Sequence, residues 1–414
     1  MTTEKTSGPG LEDVIDARLD ENLTGFKNEL KTEIMVEVTD MMETLILSKK
    51  ETATATTTAA VAAEVGREAS PSSTKQQRLR EEGIKRIYMI EGWSHDAFSF
   101  QCFVLNLENG EETTLTISPA SDKDRVAVHL CSSVVALGSI IYMIGGQCPP
   151  GHCPEGFEGC RHPHPHVRYF DTCEPEKGWK LGAPMLTGRA GPAAAVVDGK
   201  IYVVGGLLDE YSDSNDVLAE CFDPKTNEWR PLTVLDYEPT VYCHTQVPYV
   251  YDDGKKSILI NSYMTKETLY EYLLDEQKWR IFDQTFEKCL NQGTILDDIL
   301  YTVCEDAKNP LYGFHLSLKQ WFPIEVELAK HSRIRVINVN ASVFASGSDK
   351  LCLVWHYFDF TRARYSNYRK VECLEIKLNK SYSASGILNL TAHQESYHFF
   401  HVSSGCPEQI FIPM

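Results

Sequence analysis

No apolar run in this chain reaches the roughly 18 residues that a membrane-crossing helix needs, and the opening MTTEKTSGPG lacks the basic-then-apolar layout of a secretory signal. The expectation is a protein of the cytoplasm, the nucleus or both. Positive charge is also scarce: 40 Lys and Arg face 58 Asp and Glu, a net charge of −18. That balance opposes phosphate backbones and anionic bilayers, so neither nucleic acid nor membrane is an expected partner. Catalytic signatures are missing too. There is no Gly-x-Ser-x-Gly, no phosphate-binding glycine loop ending in Lys-Ser/Thr, and no His-Glu-x-x-His. His129, His244 and His315 fall within or beside strand patterns and read as structural residues rather than general bases. No cofactor and no catalytic residue are assigned, and the chain reads as a non-enzyme.

Disulfides are not expected either, although 13 cysteines are present among 414 residues. The number is odd and the chain is long, whereas disulfide frameworks belong to short secreted chains. Cys131, Cys221, Cys304 and Cys352 lie inside apolar runs, where a thiol behaves as a small hydrophobe.

What the sequence does hold is repetition. IYMIEG at Ile87 returns as IYMIGG at Ile141 and IYVVGG at Ile201, and more loosely as SILINS at Ser257, LYTVCE at Leu300 and LCLVWH at Leu351. A second phrase follows: RYFDTCEPEKGW, ECFDPKTNEW, YEYLLDEQKW and YGFHLSLKQW. Phe222, Tyr272 and Phe314 each stand seven residues before Trp229, Trp279 and Trp321, which sets a common register; Phe170 stands nine before Trp179. The polar text between aromatic and tryptophan is that of a tight hairpin turn. Ahead of the glycines sits another strand, as in AAAVVDGK from Ala193, where Asp198-Gly199 is a strong hairpin signal.

Each unit thus reads as four short antiparallel strands that cannot bury both faces alone; stacking such units around an axis buries them all. Each tryptophan is expected to pack on the neighbouring unit, and the paired glycines to admit backbone where a Cβ would clash. The stretch AGPAAAVVDGKIYVVGG followed by VLAECFDPKTNEWRPLT resembles a kelch repeat, with its double glycine, aromatic-Asp-Pro turn and spaced tryptophan. Gly145-Gly146 makes a second match. The resemblance implies an all-β, six-bladed kelch-type β-propeller over residues 84–414. The first unit begins at its second strand, so the tail is expected to supply the missing innermost one, from SYHFFHVSS at Ser396, after an outer strand near ASGILNL.

Residues 1–83 read differently. Leu19, Leu23, Phe26, Leu30, Ile34, Val38, Met41 and Leu45 recur at helical spacing, predicting an amphipathic helix within residues 1–50 that self-associates over 11–48 as a coiled coil, or a marginal helix that docks or frays. Residues 51–83 are Ala/Thr/Ser-rich and read as a flexible linker.

The run GGQCPPGHCPEGFEGCRHPHPHVRYFD packs three cysteines and four histidines into residues 148–166. The repeat places it between the second and third strands of the second unit, an insertion in a loop. Cys148, Cys153, Cys160 and His162 could hold zinc. Against this, no second Cys-x-x-Cys exists, and a His-Pro alternation in polyproline II turns His162, His164 and His166 about 240° apart in succession. The alternative is a long, sticky loop. Such loops, with the connections between units, line one face of kelch propellers, and partners dock there. That rule nominates His152, Arg161, His162, His164, His166 and Arg168, with Asp209, Glu210, Tyr211 and Asp213 from the third unit, and Arg125, Arg189 and Arg333 from the connections.

The later units, LCLVWHYF, YRKVECLEIKLN and ASGILNL, look like those of plant F-box/kelch proteins. In such proteins the propeller grips a target while an F-box docks a ubiquitin ligase; no Leu-Pro-led F-box helix cluster is read here. Some kelch-like propellers are metal enzymes, but the Glu-x3-Asp-x3-His iron run of the plant specifier proteins does not occur. The leading expectation is a protein-binding scaffold. A ligase adaptor recruited without an F-box comes second, and a metal-dependent propeller enzyme third.

Overall fold

The structure is a computed structural model. It describes residues 83–91, 98–125, 131–147, 163–207, 217–232, 248–252, 256–261, 268–286, 292–304, 310–330, 337, 341–358, 368–383, 387–403 and 409–414. All of them belong to the second of two units of the chain, Ser70–Met414. The expected helix of residues 1–50 and all but the last residue of the expected linker, 51–83, therefore lie outside the described residues.

Apart from two single-turn 3-10 helices, every regular element among the described residues is a β-strand. Sheet 1 holds β1 (Arg86–Glu91), β2 (Phe100–Asn106) and β3 (Glu112–Ile117). Sheet 2 holds β4 (Ser133–Leu137), β5 (Ile140–Ile144), β6 (Val167–Asp171) and β7 (Lys180–Leu181). Sheet 3 holds β8 (Ala193–Val197), β9 (Lys200–Val204), β10 (Ala219–Asp223) and β11 (Glu228–Pro231). Sheet 4 holds β12 (Pro248–Asp252), β13 (Lys256–Asn261), β14 (Leu269–Leu273) and β15 (Lys278–Asp283). Sheet 5 has eight strands in two antiparallel halves. One half is β16 (Thr294–Leu296), β17 (Ile299–Val303), β18 (Leu311–His315) and β19 (Gln320–Glu327); the other is β20 (Ser342–Ala345), β21 (Lys350–Phe358), β22 (Tyr368–Tyr382) and β23 (Leu388–Ser403). A last strand, β24 (Gln409–Pro413), returns to sheet 1 and pairs with β1 from Ile87↔Pro413 to Glu91↔Gln409.

The tail thus does supply the strand missing from the first unit, but the strand is not the expected one. Residues 388–403 form a single 16-residue strand, the outermost of its half, and the segments near Leu388 and Ser396 that the sequence suggested as two strands are its two ends. The reason is the partner: β22 runs 15 residues without a turn, so its neighbour stays paired along the whole length, through one register shift at Glu375/Ile376.

Alternation explains the core. On β1, Ile87 and Met89 face sheet 5 beside Val354, Val371 and Phe400, while Tyr88 and Ile90 face sheet 2 beside Ile141, Phe170 and Trp179. The same two-sided burial joins sheet 2 to sheet 3 through Ile144 and Ile201, and sheet 3 to sheet 4 through Tyr202 and Tyr272. Sheet 4 meets the first half of sheet 5 through Leu259 and Leu300, and the two halves meet through Tyr301 and Leu353. The succession of cores returns to where it started. Buried cysteines fill it as hydrophobes: Cys102, Cys221, Cys304, Cys352 and Cys373 are buried free thiols, and burial pushes the Cys102 thiol up to about 12. Cys131 is only half-buried.

The seven-residue register is a hairpin register. Phe222↔Trp229, Tyr272↔Trp279 and Phe314↔Trp321 are cross-strand partners, with ring centroids 5.0, 5.0 and 4.9 Å apart. The indoles also reach across sheets. Trp179 Nε1 donates to the Phe98 carbonyl at 3.0 Å and Trp229 Nε1 to the Ala183 carbonyl at 2.9 Å. Asp198-Gly199 turns with φ of 49° and 73°, as a two-residue hairpin requires.

One half-buried histidine gives the fold a pH dependence. Arg369 Nη1 donates to His356 Nδ1 at 3.0 Å, and burial first, then the Arg369 charge, lower the His356 pKa to about 4. The unfolded chain takes up this proton near 6.5. Stability from this site is therefore complete above about pH 6.5 and is lost as the pH falls toward 4. Urea unfolding at pH 7, 5.5 and 4.5 is expected to show the decline, and a His356→Gln chain a shallower one.

Candidate functional site

Three chain segments converge where β5 ends. Gly145 and Gly146 have φ of 69° and 104°, in the left-handed region that side chains avoid. Gly145 N donates to His166 O at 2.9 Å, Gly146 N to Arg189 O at 2.7 Å, and His164 N to Gly146 O at 3.0 Å. A Cβ on Gly145 would stand 2.4 Å from the Arg189 carbonyl oxygen, and one on Gly188 2.4 Å from that of Pro163. The glycines thus let the two arms of the β5–β6 connection and the β7–β8 connection share hydrogen bonds, closed by the bridges Gln147↔Pro163 and His164↔Arg189. Gly145→Ala is expected to cost at least about 1–2 kcal/mol from the left-handed backbone alone, with the clash added. Gly138→Ala, which carries a left-handed φ of 61° but whose Cβ would meet nothing within 4 Å, should lower the thermal midpoint less than Gly145→Ala, and the difference reads the clash.

The histidines on this base do not turn away from each other. His164 and His166 stack with ring centroids 5.4 Å apart and planes 8° from parallel. Bridged on both sides, the segment is held extended rather than as a free polyproline coil, so residues two apart share a side. Both are half-buried. Burial, and secondarily the Arg168 charge, lower the pKa of His166, so it stays neutral further into the acid range. No cluster of three or more His, Cys, Asp or Glu able to hold a metal occurs among the described residues. Cys148, Cys153, Cys160 and His162 lie outside them.

Two nominated arginines are not surface residues. Arg168 is 0% exposed, its guanidinium 5.5 Å over the ring of the equally buried Trp179. It sits on β6 at a position facing the neighbouring sheet, so the strand's alternation draws it inward. Arg189 is 0% exposed as well, and its partners explain why. Nε meets Glu220 Oε1 at 2.9 Å, Nη1 donates to the Gly205 and Leu218 carbonyls at 2.6 and 3.0 Å, and Nη2 reaches Glu220 Oε1 at 2.9 Å and the Val217 carbonyl. Glu220, 0% exposed on β10, uses its other oxygen to accept from Leu186 N at 2.7 Å. Thr187 Oγ1 accepts from Val217 N at 3.0 Å. One ion pair therefore ties the β7–β8 connection to both stems of the β9–β10 connection.

What this clamp presents is Leu186, 50% exposed beside its locked backbone. Arg125, from the β3–β4 connection, is exposed and lies 4.6 Å over the Phe98 ring. His152, Arg161, His162, Asp209, Glu210, Tyr211, Asp213 and Arg333 lie outside the described residues.

The sequence reading missed Leu186, Glu220 and an aromatic platform on sheet 5. Where the second and third units turn at paired glycines, β21 carries Trp355-His356 and runs on. Tyr357 and Phe399 are 39% and 38% exposed, with Lys370 Nζ 5.7 and 5.1 Å from their rings. Glu372 accepts from Tyr357 Oη at 2.8 Å and lies 3.1 Å from Lys370 Nζ. The signal was there in LCLVWHYF, an unbroken run of apolar and aromatic residues with no glycine, all of it within the nine residues of β21.

The sequence has counterparts among known proteins. A family model described as FKB95, kelch-repeats domain, matches residues 103–387. Among curated relatives, three F-box/kelch-repeat proteins of Arabidopsis thaliana are 36%, 35% and 39% identical to the chain over 159, 109 and 106 residues. Those stretches cover 37%, 26% and 25% of this chain and 36%, 28% and 33% of the relatives. The chain thus spans about a third of the length of the curated relatives it matches.

Proposed function

From the premise that the chain belongs to the FKB95 kelch-repeat family, an all-β family of the β-propeller kind, we propose that it is a non-enzymatic protein-binding module. Sheets 1 to 4 and the two halves of sheet 5 are its six blades. The partner docks on the face built by the connections from second to third strands and those between blades. His164, Leu186 and Arg125 contribute contact surface, the platform of Tyr357, Lys370 and Phe399 stands at the end of the same kind of connection, and Arg168 and Arg189 lie beneath.

The observation that carries the reading is the Arg189–Glu220 clamp. A fully buried ion pair on loop backbone fixes an exposed apolar side chain in place, and preorganised anchors of that sort lower the ordering cost of association. His152, Arg161, His162, Asp209, Glu210, Tyr211, Asp213 and Arg333 are proposed to extend the face, with localisation in cytoplasm or nucleus.

The test is affinity capture from plant extract with the full chain against a Leu186→Asp/Arg125→Glu chain of equal thermal midpoint. Proteins retained by the first and depleted at least about tenfold on the second support the reading. Identical captures would remove these residues from it. A second reading, favoured by the F-box in the relatives' names, is substrate recruitment to a ubiquitin ligase. A cullin-linked protein among the captured set would support that, and its absence would set it aside. Self-association through residues 11–48 is read from the mass of the full chain in solution.

A further inference from the structure

β19 begins in one half of sheet 5 and ends in the other. Its first residues pair antiparallel with β18, from His315↔Gln320 to Tyr312↔Pro323. Its last four then pair parallel with β23: Ile324↔Leu390, Glu325↔Thr391, Val326↔Ala392 and Glu327↔His393. Pro323, which has no N–H to give, stands where the strand changes partner. Beyond the ladder, Ala329 N donates to Gln394 Oε1 at 3.2 Å.

The crossing is packed as well as hydrogen-bonded. Ile324, Leu390 and Ala392 are at most 2% exposed and belong to the core shared by both halves. On β18, a Cβ at Gly313 would stand 2.8 Å from Leu390 Cδ1, so glycine there makes room for the β23 side chain. At the far end of β22, Lys380 Nζ meets Asp297 Oδ2, in the β16–β17 turn, at 2.9 Å. Between sheets 1 and 2 the comparable contact is one isolated parallel bridge, Pro119↔Trp179.

The position of this ladder matters because the other side of β20–β23 is where the chain closes on sheet 1. Closure rests on the core that Ile87 and Met89 share with Val354, Val371 and Phe400, on β24, a five-residue strand whose Phe411 joins that core, and on Ile84 N donating to Ser346 Oγ at 3.2 Å. We propose that residues 324–327 are a strap that makes the two halves of sheet 5 one cooperative body, so that β24 can leave β1 without releasing β20–β23. Of the strands involved, β24 then opens first and β19–β23 last. A strand edge held by a ladder and a dry core exchanges its amides only in large openings, whereas an unpaired outer edge exchanges freely.

Hydrogen exchange read by mass spectrometry on the full chain tests this. Those amides of 324–327 that face β23 are expected to exchange at least about tenfold more slowly than the outward amides of β15. The 409–414 peptide should exchange before the 388–403 peptide. In a Glu325→Pro chain, whose lost side chain is exposed, the 388–396 peptide should exchange at least about tenfold faster with β8–β11 unchanged. Wild-type 324–327 amides as labile as those of β15, or simultaneous exchange of 409–414 and 388–403, would overturn the strap whether or not the variant folds.

Discussion

Deleting residues 409–414 is expected to lower the thermal midpoint by about 10 °C or more. Phe411 and Ile412 are 4% and 5% exposed and sit in two different cores, one against sheet 5 and the other against sheet 2. Burying two such side chains is worth about 3–6 kcal/mol. The deletion also removes the ladder to β1 and the bonds that Lys85 N and Arg86 N give to Met414 O, at 3.2 and 2.8 Å. Against a total stability of about 5–15 kcal/mol that is a large fraction. A Phe411→Ala chain should lie between wild type and the deletion. Calorimetry decides: if the deletion shifts the midpoint by no more than Phe411→Ala does, the tail strand closes nothing.

How far this could be read beforehand follows from which signals survive in side chains. The Phe222–Trp229 spacing is legible because a hairpin fixes the distance between cross-strand partners whatever the turn residues are. The paired glycines are legible because a clash forbids anything else: 2.4 Å at Gly145 leaves no alternative residue. The tail strand was misplaced because the alternation lapses over residues 393–399, at the register shift opposite Glu375/Ile376, and a lapse inside one continuous strand reads in sequence like a gap between two; register lies in the partner strand. The strap was invisible for a similar reason. Nothing in QWFPIEVE announces a change of neighbour except Pro323, which also fits an ordinary outer strand. At the candidate face, arginine chemistry suggested surface, yet Arg168 stands on the inward side of β6 and Arg189 meets a buried carboxylate. Sequence shows a side chain's donors but not the carbonyls waiting for them.

Arg189→Ala is the substitution expected to do most damage for a single side chain, about 3–5 kcal/mol, because it strands the buried Glu220 carboxylate and removes the guanidinium that donates to the Gly205 and Val217 carbonyls. The size of the loss does not by itself show that the pair stabilises the fold, since a buried pair replaced whole by apolar groups is often close to neutral. The double variant Arg189→Met/Glu220→Leu separates the two roles. Chemical denaturation should place the double variant well above Arg189→Ala, recovering at least about half of the loss. Its loops should nonetheless be loose: without Glu220 Oε2 the Leu186 N–H has lost its acceptor, and without the Arg189 guanidinium the two stems of the β9–β10 connection keep the Gly205 N to Leu218 O bond but lose their tie to the β7–β8 connection through that side chain. Exchange of the 182–192 and 217–218 amides should therefore rise at least about tenfold in the double variant, beyond what its remaining loss of global stability accounts for. If stability and loop protection recover together, the clamp is only a piece of core, and its buried charge does nothing that methyl groups could not do.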